Sequence, residues 1–398
     1  MGLRILVSDY SGHPFQVQLS RELARRGHEV IHSYSAGFQT PTGNLAIGDD
    51  DPAGFSVVPV CNSKPFAKDS FFQRRRQEIE IGEELAKLVR SFRPDVVISS
   101  NAPLDTQRIF QKAALREGAK FVFWLQDIYS QAIARVVPRK FPIFGHAVAA
   151  WYRSLEFRML RASDHVVAIT QDFVPIVTAE GVAPAKVSIV ENWAPLDELP
   201  PHPRNNEWAC SHMPGEGLRI VYSGTLGYKH NPGLLQALAR ELPDVHVYVF
   251  SEGEVAGRLA ADAAASGLAN LSVHPWVPFA DLPMMLAGAD MFVAVIEPEA
   301  GVYSVPSKVL TYLAIGRPIL ASVPAENLAA RLIRDHQAGY ISPPGQEATL
   351  LEAARKLSGD VARRELLGEN GRAYACKAFD IDAIGDRFSG ILSDLIAD

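Results

Sequence analysis

The feature that most constrains this chain is a repeated alternation of short apolar runs, rich in β-branched residues, with amphipathic helical patterns. In the first repeat, residues 4–8 predict a strand, residues 15–26 a helix, and residues 29–33 a second strand. Comparable strand patterns recur at 57–60, 95–99, 120–125, 165–170, 186–190, 218–223, 246–250, 271–274, 291–295 and 318–321. Apolar strands that alternate with helices form parallel sheets buried on both faces. The sequence therefore predicts an α/β fold, with only helices after the last of these strands.

A change of composition separates the two sets of repeats. Residues 194–217 are rich in Pro, Asn, Glu and Gly and show no hydrophobic period, which predicts a linker and hinge. We expect Rossmann-like domains at 1–193 and 218–375, with a C-terminal helix at 376–398 that returns to the first domain. Ligands of open parallel sheets bind at the carboxyl ends of the strands. Two such sheets joined by a hinge predict a cleft between them.

Composition excludes several classes of protein. Charged residues make up 21% of the chain and the net charge is -6, so a nucleic-acid partner is not expected. The three cysteines are far apart and show no metal-binding spacing, which favours a reducing cytoplasm. The N-terminus enters a strand pattern directly, without the features of a signal peptide, and no apolar run predicts a spanning helix. We expect a cytoplasmic protein without a metal, since the acidic run 49–51 lies in a polar loop.

One segment predicts an anion site. Residues 304–308 read Ser-Val-Pro-Ser-Lys, and a helical pattern follows up to a Gly-Arg-Pro turn at 316–318. Ser307 and Lys308 therefore lie at a helix N-terminus, where the helix dipole opposes a lysine unless an anion is present. The alternative is a surface lysine in contact with solvent.

An ordered set of segments resembles a known family, the retaining family-4 glycosyltransferases of the GT-B fold. The segments are 162–170 (Ala-Ser-Asp-His-Val-Val-Ala-Ile-Thr), 187–193 (Val-Ser-Ile-Val-Glu-Asn-Trp), 220–226 (Ile-Val-Tyr-Ser-Gly-Thr-Leu), 289–293 (Ala-Asp-Met-Phe-Val), 306–308 (Pro-Ser-Lys) and 316–318 (Gly-Arg-Pro). Pro-Ser-Lys, together with Leu-Gln-Asp-Ile-Tyr at 125–129, looks most like enzymes of bacterial surface polysaccharide synthesis, such as colanic-acid and O-antigen fucose or fucosamine transferases.

The resemblance implies two Rossmann-like domains whose parallel sheets face one another across a cleft. It also implies transfer of a hexosyl group with retention, from a UDP- or GDP-linked sugar to a glycan or lipid-linked acceptor. The nucleotide sugar is then a co-substrate, and no separate cofactor is expected.

For the donor diphosphate, the resemblance implies contacts from Gly224, Thr225, Lys229, Ser307 and Lys308. A glycine at a strand end permits close approach of the backbone to a phosphate, and a nearby lysine supplies positive charge. Thr225 departs from the family, because many relatives carry an arginine at this position.

For the nucleotide and sugar, the resemblance implies contacts from Trp276, Val277, Glu299, Tyr303 and Thr311. The loop with Trp276 and Val277 is expected to hold the base, although core packing is an equal alternative for the tryptophan. Tyr303 and Thr311 occupy the two positions at which the family carries a Glu-x7-Glu pair. A threonine offers only one short hydroxyl to a ribose, so ribose recognition is expected to be weaker or rearranged. Glu299 lies just upstream and offers a carboxylate.

In the first domain, Asp127 and His13 are the candidate catalytic residues. Asp127 follows a buried strand, where a carboxylate is costly unless it is used or paired, and the resemblance places it facing the sugar. It would alternatively cap the helix that begins near Ser130. His13 lies in the first strand-end loop, where it would meet the donor phosphate or an acceptor hydroxyl, or would simply be solvated.

Two segments mix aromatic and basic side chains, at 66–76 and 151–161. Such a mixture favours peripheral contact with the inner face of an anionic membrane, where a lipid-linked acceptor would be presented. The alternative for the first segment is a solvated helix start whose charges are balanced by Glu78 and Glu80.

Two other functions remain open at this stage. A sugar-nucleotide epimerase on the same fold would act on the donor without an acceptor. A non-catalytic GT-B-like subunit would explain why neither Tyr303 nor Thr311 is acidic.

Overall fold

The computed structural model divides the chain into two compact α/β units. The described residues are 2–37, 42–63, 71–100, 102–227, 230–296 and 305–397. Unit 1 consists of residues 1–191 and 381–398, and unit 2 of residues 192–380. Parallel strands form a sheet in each unit, so the predicted fold class is confirmed.

Unit 1 alternates strands and helices along most of its length. Its elements are β1 (Arg4–Asp9), α1 (Pro14–Arg25), β2 (Glu29–Ser35), β3 (Phe55–Val60), α2 (Phe71–Phe92), β4 (Val96–Ser100), α3 (Leu104–Arg116), β5 (Lys120–Leu125), α4 (Tyr129–Lys140), α5 (Gly145–Ala162), β6 (His165–Ala168), α6 (Phe173–Ala179), β7 (Val187–Ile189) and α15 (Ile381–Ala397). The described strands have the order β3-β2-β1-β4-β5-β6-β7, and every adjacent pair is parallel. Strand order reverses between β1 and β4, where Asp9 lies opposite Ser100. A crevice at the carboxyl edge is expected at such a reversal.

The C-terminal helix α15 packs on unit 1. The buried ring of Phe388 lies 5.1 Å from the ring of Trp124, centroid to centroid, in an edge-to-face arrangement. The ring of Phe15 also lies 5.7 Å from that of Trp124, centroid to centroid. The side chain of Arg26 bonds the carboxylate of Asp386 and thereby ties α15 to the end of α1. Aromatic burial of this kind is a large contribution to stability.

Unit 2 repeats the same plan. Its elements are α7 (Glu207–His212), β8 (Leu218–Ser223), α8 (Pro232–Glu241), β9 (Val245–Phe250), α9 (Glu254–Ala265), β10 (Leu271–His274), α10 (Leu282–Ala287), β11 (Met291–Val295), α11 (Ser307–Ile315), β12 (Ile319–Ser322), α12 (Leu328–Asp335), β13 (Gly339–Ser342), α13 (Glu347–Gly359) and α14 (Val361–Ala378). The described strands have the order β10-β9-β8-β11-β12-β13, all parallel. Strand order reverses between β8 and β11, so the carboxyl end of β8 borders the expected crevice.

The structure differs from the sequence expectation at residues 194–217. These residues belong to unit 2, and the chain crosses between the units at 191/192 and 380/381. The side chain of Arg204 bonds both carboxylate oxygens of Asp290 at 2.7 and 2.8 Å, and Asn206 caps α7 through the amide of Ala209. Hydrogen bonds and a few scattered buried apolar side chains hold this segment. Because these apolar residues form no hydrophobic period, its pattern resembles that of a linker.

A second difference is strand β13, which lies where only helices were expected. Its sequence, Gly-Tyr-Ile-Ser, contains one β-branched residue and gives little strand signal. It pairs with β12 so closely that a Cβ at Gly339 would lie 2.0 Å from the carbonyl oxygen of Ile319. Close backbone approach therefore requires glycine here.

Replacing Phe388 with alanine should lower the free energy of unfolding by about 3 to 5 kcal/mol, because it removes a buried aromatic ring and leaves a cavity. Chemical denaturation measures this change. Ile396→Ala on the same helix is the matched control, since that side chain is 46% exposed and should cost no more than about 0.5 kcal/mol. Equal effects of the two substitutions would contradict the packing of α15 on unit 1.

Candidate functional site

In unit 2, the end of β8 and the start of α11 meet at Gly224. Gly224 has φ of +117°, in the region that favours glycine, and its amide bonds the carbonyl of Phe250 at 3.0 Å. A Cβ at this position would lie 3.5 Å from the Nζ atom of Lys308. The ammonium group of Lys308 is therefore in close proximity to the backbone at the end of β8.

Lys308 extends from the first turn of α11. Its Nζ atom is buried and lies 3.7 Å from the centroid of the Tyr222 ring, in a cation–π contact. Ser307 is exposed at the first position of the same helix, and the first turn contains no acidic residue. A helix N-terminus and an ammonium group thus concentrate positive charge beside an exposed hydroxyl.

Two tyrosines position this arrangement, and the sequence patterns did not single them out. The hydroxyl of Tyr312, one turn after Lys308, accepts from the amide of Ser223 at 2.9 Å and lies 3.3 Å from the carbonyl of the same residue. Its ring stacks on Phe292 at 4.0 Å. The hydroxyl of Tyr222 donates to the carbonyl of Thr225 at 2.8 Å. Burial raises the pKa of both tyrosines, so both hydroxyls stay protonated at neutral pH.

The other residues predicted to bind the donor in this region differ in their exposure and in whether the structure describes them. The side chain of Thr225 is exposed, and the next amide, of Leu226, donates to the hydroxyl of Ser251 at 3.0 Å. Thr311 is half-buried and, at a spacing of four residues, shares a helix face with Ser307. Lys229, Glu299 and Tyr303 lie outside the described residues.

The loop after β10 places Trp276 and Val277 at the same edge of the unit 2 sheet. Both side chains are half-buried, and the amide of Trp276 donates to the carboxylate of Glu252 at 3.2 Å. The indole Nε1 atom is buried without a hydrogen-bond partner among the described residues. Trp276 is thus neither fully in the core nor fully solvated.

In unit 1, Asp9 at the end of β1 organises the loop that carries His13. The carboxylate of Asp9 is fully buried and accepts from the amides of Ser11, at 3.0 Å, and His13. Its Oδ1 atom also lies 3.3 Å from Nδ1 of His13. Burial by itself disfavours both charges, but their mutual attraction outweighs it: the pKa of Asp9 is lowered and that of His13 is raised. The loop histidine is therefore paired and oriented rather than simply solvated.

Asp127 lies close enough to contribute to this electrostatic environment. Its negative charge adds to the increase in the pKa of His13. His32 is a further neighbour of Asp9 that the sequence pattern did not indicate; burial lowers its pKa to about 4, and Ser20 bonds its Nδ1 atom at 2.9 Å. The end of β1 and the end of β5 thus bring one imidazole and two carboxylates into mutual influence.

The start of α4 is capped by Glu156. Glu156, on α5, is fully buried, and its two oxygens accept from the amides of Tyr129 and Ser130, each at 2.9 Å. The pKa of Glu156 is raised to about 7, chiefly by burial. The hydrogen bonds lower this pKa in part, and the nearby negative charge of Asp127 raises it further. The capping carboxylate of Glu156 comes from a neighbouring helix, so no local sequence pattern could indicate it.

Among the described residues, no group of three or more His, Cys, Asp or Glu side chains could hold a metal ion. Within the same residues, no helix is long and apolar enough to cross a membrane.

Two family models match this chain. The model described as Glycosyltransferase Family 4 matches residues 15–198, and the model described as Glycosyl transferases group 1 matches residues 217–360. A curated relative from Pseudomonas aeruginosa, "Probable glycosyltransferase WbjE", is 24% identical over 274 residues. That match covers 66% of this chain and 65% of the length of the relative.

Solved structures resemble the whole chain at low identity. Sucrose-phosphate synthase from Thermosynechococcus elongatus has a TM-score of 0.74 at 14% identity, with 99% of both chains covered. Alr3699/HepE from Anabaena, in complex with UDP-glucose, has a TM-score of 0.71 at 15% identity, with 98% of this chain and 100% of that chain covered. These likenesses show the fold, which is GT-B in type.

Replacing Tyr312 with phenylalanine should lower the free energy of unfolding by about 1 to 2 kcal/mol, because the amide of Ser223 loses its partner. Denaturant unfolding measures the loss. Tyr340→Phe in the same unit is the control, since its side chain is only half-buried, and it should change stability by less than about 0.5 kcal/mol. A Tyr312→Phe protein as stable as the control would contradict the positioning role.

Glu156 should make stability depend on pH. A carboxyl group whose pKa is about 7 in the folded protein and 4.5 when unfolded stabilises the fold fully below pH 4.5, and this contribution is lost as the pH rises through 7. Relative to Glu156→Gln, the free energy of unfolding of the wild type should fall by about 2 to 3 kcal/mol between roughly pH 5 and 8. Urea titrations at several pH values measure this difference. A constant difference between the two proteins would show that Glu156 does not titrate in this range.

Proposed function

We propose that the chain is a glycosyltransferase of the GT-B type, because a Family 4 region is followed by a group 1 region. In this proposal it transfers a sugar from a nucleotide sugar to a glycan or lipid-linked acceptor. The proposed donor is UDP- or GDP-linked, the transferred group is a hexosyl group, and the anomeric configuration is retained. The proposed setting is bacterial surface polysaccharide synthesis, on the strength of the Pro-Ser-Lys and Leu-Gln-Asp-Ile-Tyr segments.

The observation that carries the proposal is the position of Lys308. Its ammonium group lies beside Gly224 at the N-terminus of α11, where the helix dipole already makes the potential positive. An anion at this point is attracted by both charges, and Ser307 offers a hydroxyl beside them. A diphosphate is the anionic group of a nucleotide sugar, and the Anabaena structure of the same fold contains UDP-glucose. We therefore assign donor diphosphate binding to Gly224, Thr225, Ser307 and Lys308, with Lys229 as a further predicted contact.

Stabilising the departing diphosphate is the main chemical task of such a reaction. Negative charge develops on the leaving group as the glycosidic bond breaks, and preorganised donors lower the barrier by meeting that charge. Lys308 is held over the Tyr222 ring, and Tyr312 fixes the helix that carries it, so neither group needs to reorganise during the reaction. These residues could perform this task through fixed positive charge and dipoles alone.

From unit 1, Asp127 and His13 are the proposed catalytic residues. His13 is held by Asp9 through its Nδ1 atom, and its imidazole is proposed to meet a phosphate or an acceptor hydroxyl. Asp127 would accept a hydrogen bond from a sugar or acceptor hydroxyl. Trp276 and Val277 are proposed to contact the base, and Thr311 the ribose, with Glu299 and Tyr303 as further predicted contacts.

One observation favours a second candidate, a non-catalytic subunit that binds a partner enzyme. Thr311 stands where the resembling family carries an acidic residue, and Thr225 stands where many of its members carry an arginine. Such a subunit would not need to bind a donor. An epimerase of the same fold would instead convert the donor in the absence of any acceptor.

A thermal-shift screen with UDP, GDP and their sugars tests the donor site. At least one of these ligands should raise the melting temperature of the wild type, and Lys308→Ala should weaken its binding about tenfold to a hundredfold, because a charge-assisted contact is lost. Lys377→Ala, an exposed lysine of the same unit, is the matched control and should bind as the wild type does.

Two outcomes would contradict the proposal. If no nucleotide or nucleotide sugar shifts the wild-type melting temperature, the non-catalytic subunit becomes the better account. If Lys308→Ala keeps the full shift while its unliganded stability is unchanged, the diphosphate does not bind at α11.

A further inference from the structure

Helices α4 and α5 form an antiparallel hairpin whose tip is a fixed turn. The amide of Gly145 donates to the carbonyl of Phe141 at 2.7 Å, and the amide of Phe141 donates to the carbonyl of Val137 at 2.8 Å. A Cβ at Gly145 would lie 2.5 Å from the Cα atom of Pro138, so the start of α5 packs directly on the end of α4. Residues 141–145 therefore present their side chains from a rigid turn, which we name the hairpin tip.

The hairpin tip extends past the carboxyl edge of the unit 1 sheet. Asp164, just after α5, bonds the amide of Phe121 near the start of β5, so α5 ends at the amino edge. Further back along α5, Glu156 meets the first residues of α4, just after the end of β5. From Glu156 to Gly145, α5 continues for 11 residues past the start of α4, which at 1.5 Å per residue is about 16 Å of helix. The carboxyl edge is the one that carries His13 and Asp127.

Exposed apolar side chains concentrate on this hairpin. Ile143 is 83% exposed and Phe144 is 71% exposed, both at the tip. Val136, Phe141 and Trp151 are also exposed, so the hairpin holds five of the ten large apolar side chains that are exposed among the described residues. Exposing this much apolar surface on a rigid turn is costly in water and marks a surface that contacts something else.

The charge of the hairpin is the opposite of that of the whole chain. Residues 128–155 contain three arginines, one lysine and no acidic residue, whereas the chain as a whole has a net charge of -6. Arg153 pairs with Glu180. Arg135 and Arg139 lie in the second half of α4, towards the tip. Apolar side chains at a tip with cations directly behind it match the interface of an anionic bilayer, where apolar groups enter the acyl boundary and cations meet phosphate head groups.

We propose that the hairpin tip inserts into the interface of an anionic lipid bilayer and so presents the carboxyl edge of unit 1 to a membrane. The proposal deepens the proposed function and depends on it only for its purpose, which is access to a lipid-linked acceptor. This surface differs from the two segments, 151–161 and 66–76, that the sequence analysis associates with a membrane. In the first, Tyr152 and Phe157 are buried. In the second, residues 66–70 lie outside the described residues. Its arginines Arg74 and Arg75 pair with Glu78 and Asp105.

Co-sedimentation of the full-length protein with lipid vesicles tests this proposal. The protein should bind vesicles that contain phosphatidylglycerol more tightly than vesicles of phosphatidylcholine alone, and raising the salt to about 0.5 M should weaken binding, because head-group attraction is screened. The double variant Ile143→Ser with Phe144→Ser should bind the anionic vesicles at least about tenfold more weakly.

The matched control is Val361→Ser with Leu366→Ser, which removes two exposed apolar side chains from α14 in unit 2 and should leave vesicle binding unchanged. Donor binding, measured by thermal shift without lipid, should be the same in both double variants and the wild type. Loss of donor binding in all proteins would therefore refute the proposed function and not the membrane contact.

Three results would overturn the membrane proposal. One is a wild type that does not bind anionic vesicles, and another is a tip variant that binds them as tightly as the wild type. The third is a lipid-free dimer of the wild type that the tip variant abolishes in analytical ultracentrifugation, because the tip would then be a contact between two copies of this chain.

Discussion

The contact on which the candidate donor site depends is that of the Lys308 ammonium group with the Tyr222 ring. A lysine in the first turn of a helix experiences repulsion from the helix dipole, and burial of its nitrogen adds a desolvation cost. The negative face of the Tyr222 ring, 3.7 Å away, offsets part of this cost and fixes the ammonium beside Gly224. In the proposed function, a bound diphosphate would be a further partner of this ammonium group.

The surrounding residues keep that contact in place. Tyr312 connects α11 to the end of β8 through both backbone groups of Ser223, and Gly224, which follows Ser223, has a positive φ that favours glycine. Unit 1 uses a similar device, because Glu156 holds the start of α4 close to the strand end that carries Asp127. In both units, a side chain from a neighbouring helix fixes the backbone at the edge where a ligand is expected.

Much of the architecture could be predicted from sequence, because buried parallel strands leave contiguous apolar runs and helices leave a period of 3.6 residues. The strand at residues 165–170 was expected and is present as β6, His165–Ala168. The short strand β13 and the anchored segment 194–217 were not recognised, because pairing and polar contacts hold them rather than a hydrophobic pattern.

The site was predictable only in part. Lys308 and Gly224 could be predicted from the Pro-Ser-Lys and Ser-Gly-Thr segments, and the structure brings the two residues together. Tyr222, Tyr312 and Glu156 act across long sequence separations from positions that look like ordinary helix and strand residues, so no local pattern could reveal them.

The most direct measurement of the central claim is a crystal structure of the protein bound to a nucleoside diphosphate or its sugar. The account predicts a phosphate oxygen about 3 Å from Nζ of Lys308, with the first amides of α11 directed at the same group. A diphosphate bound elsewhere in unit 2, with Lys308 still over the Tyr222 ring and no anion beside it, would contradict the account.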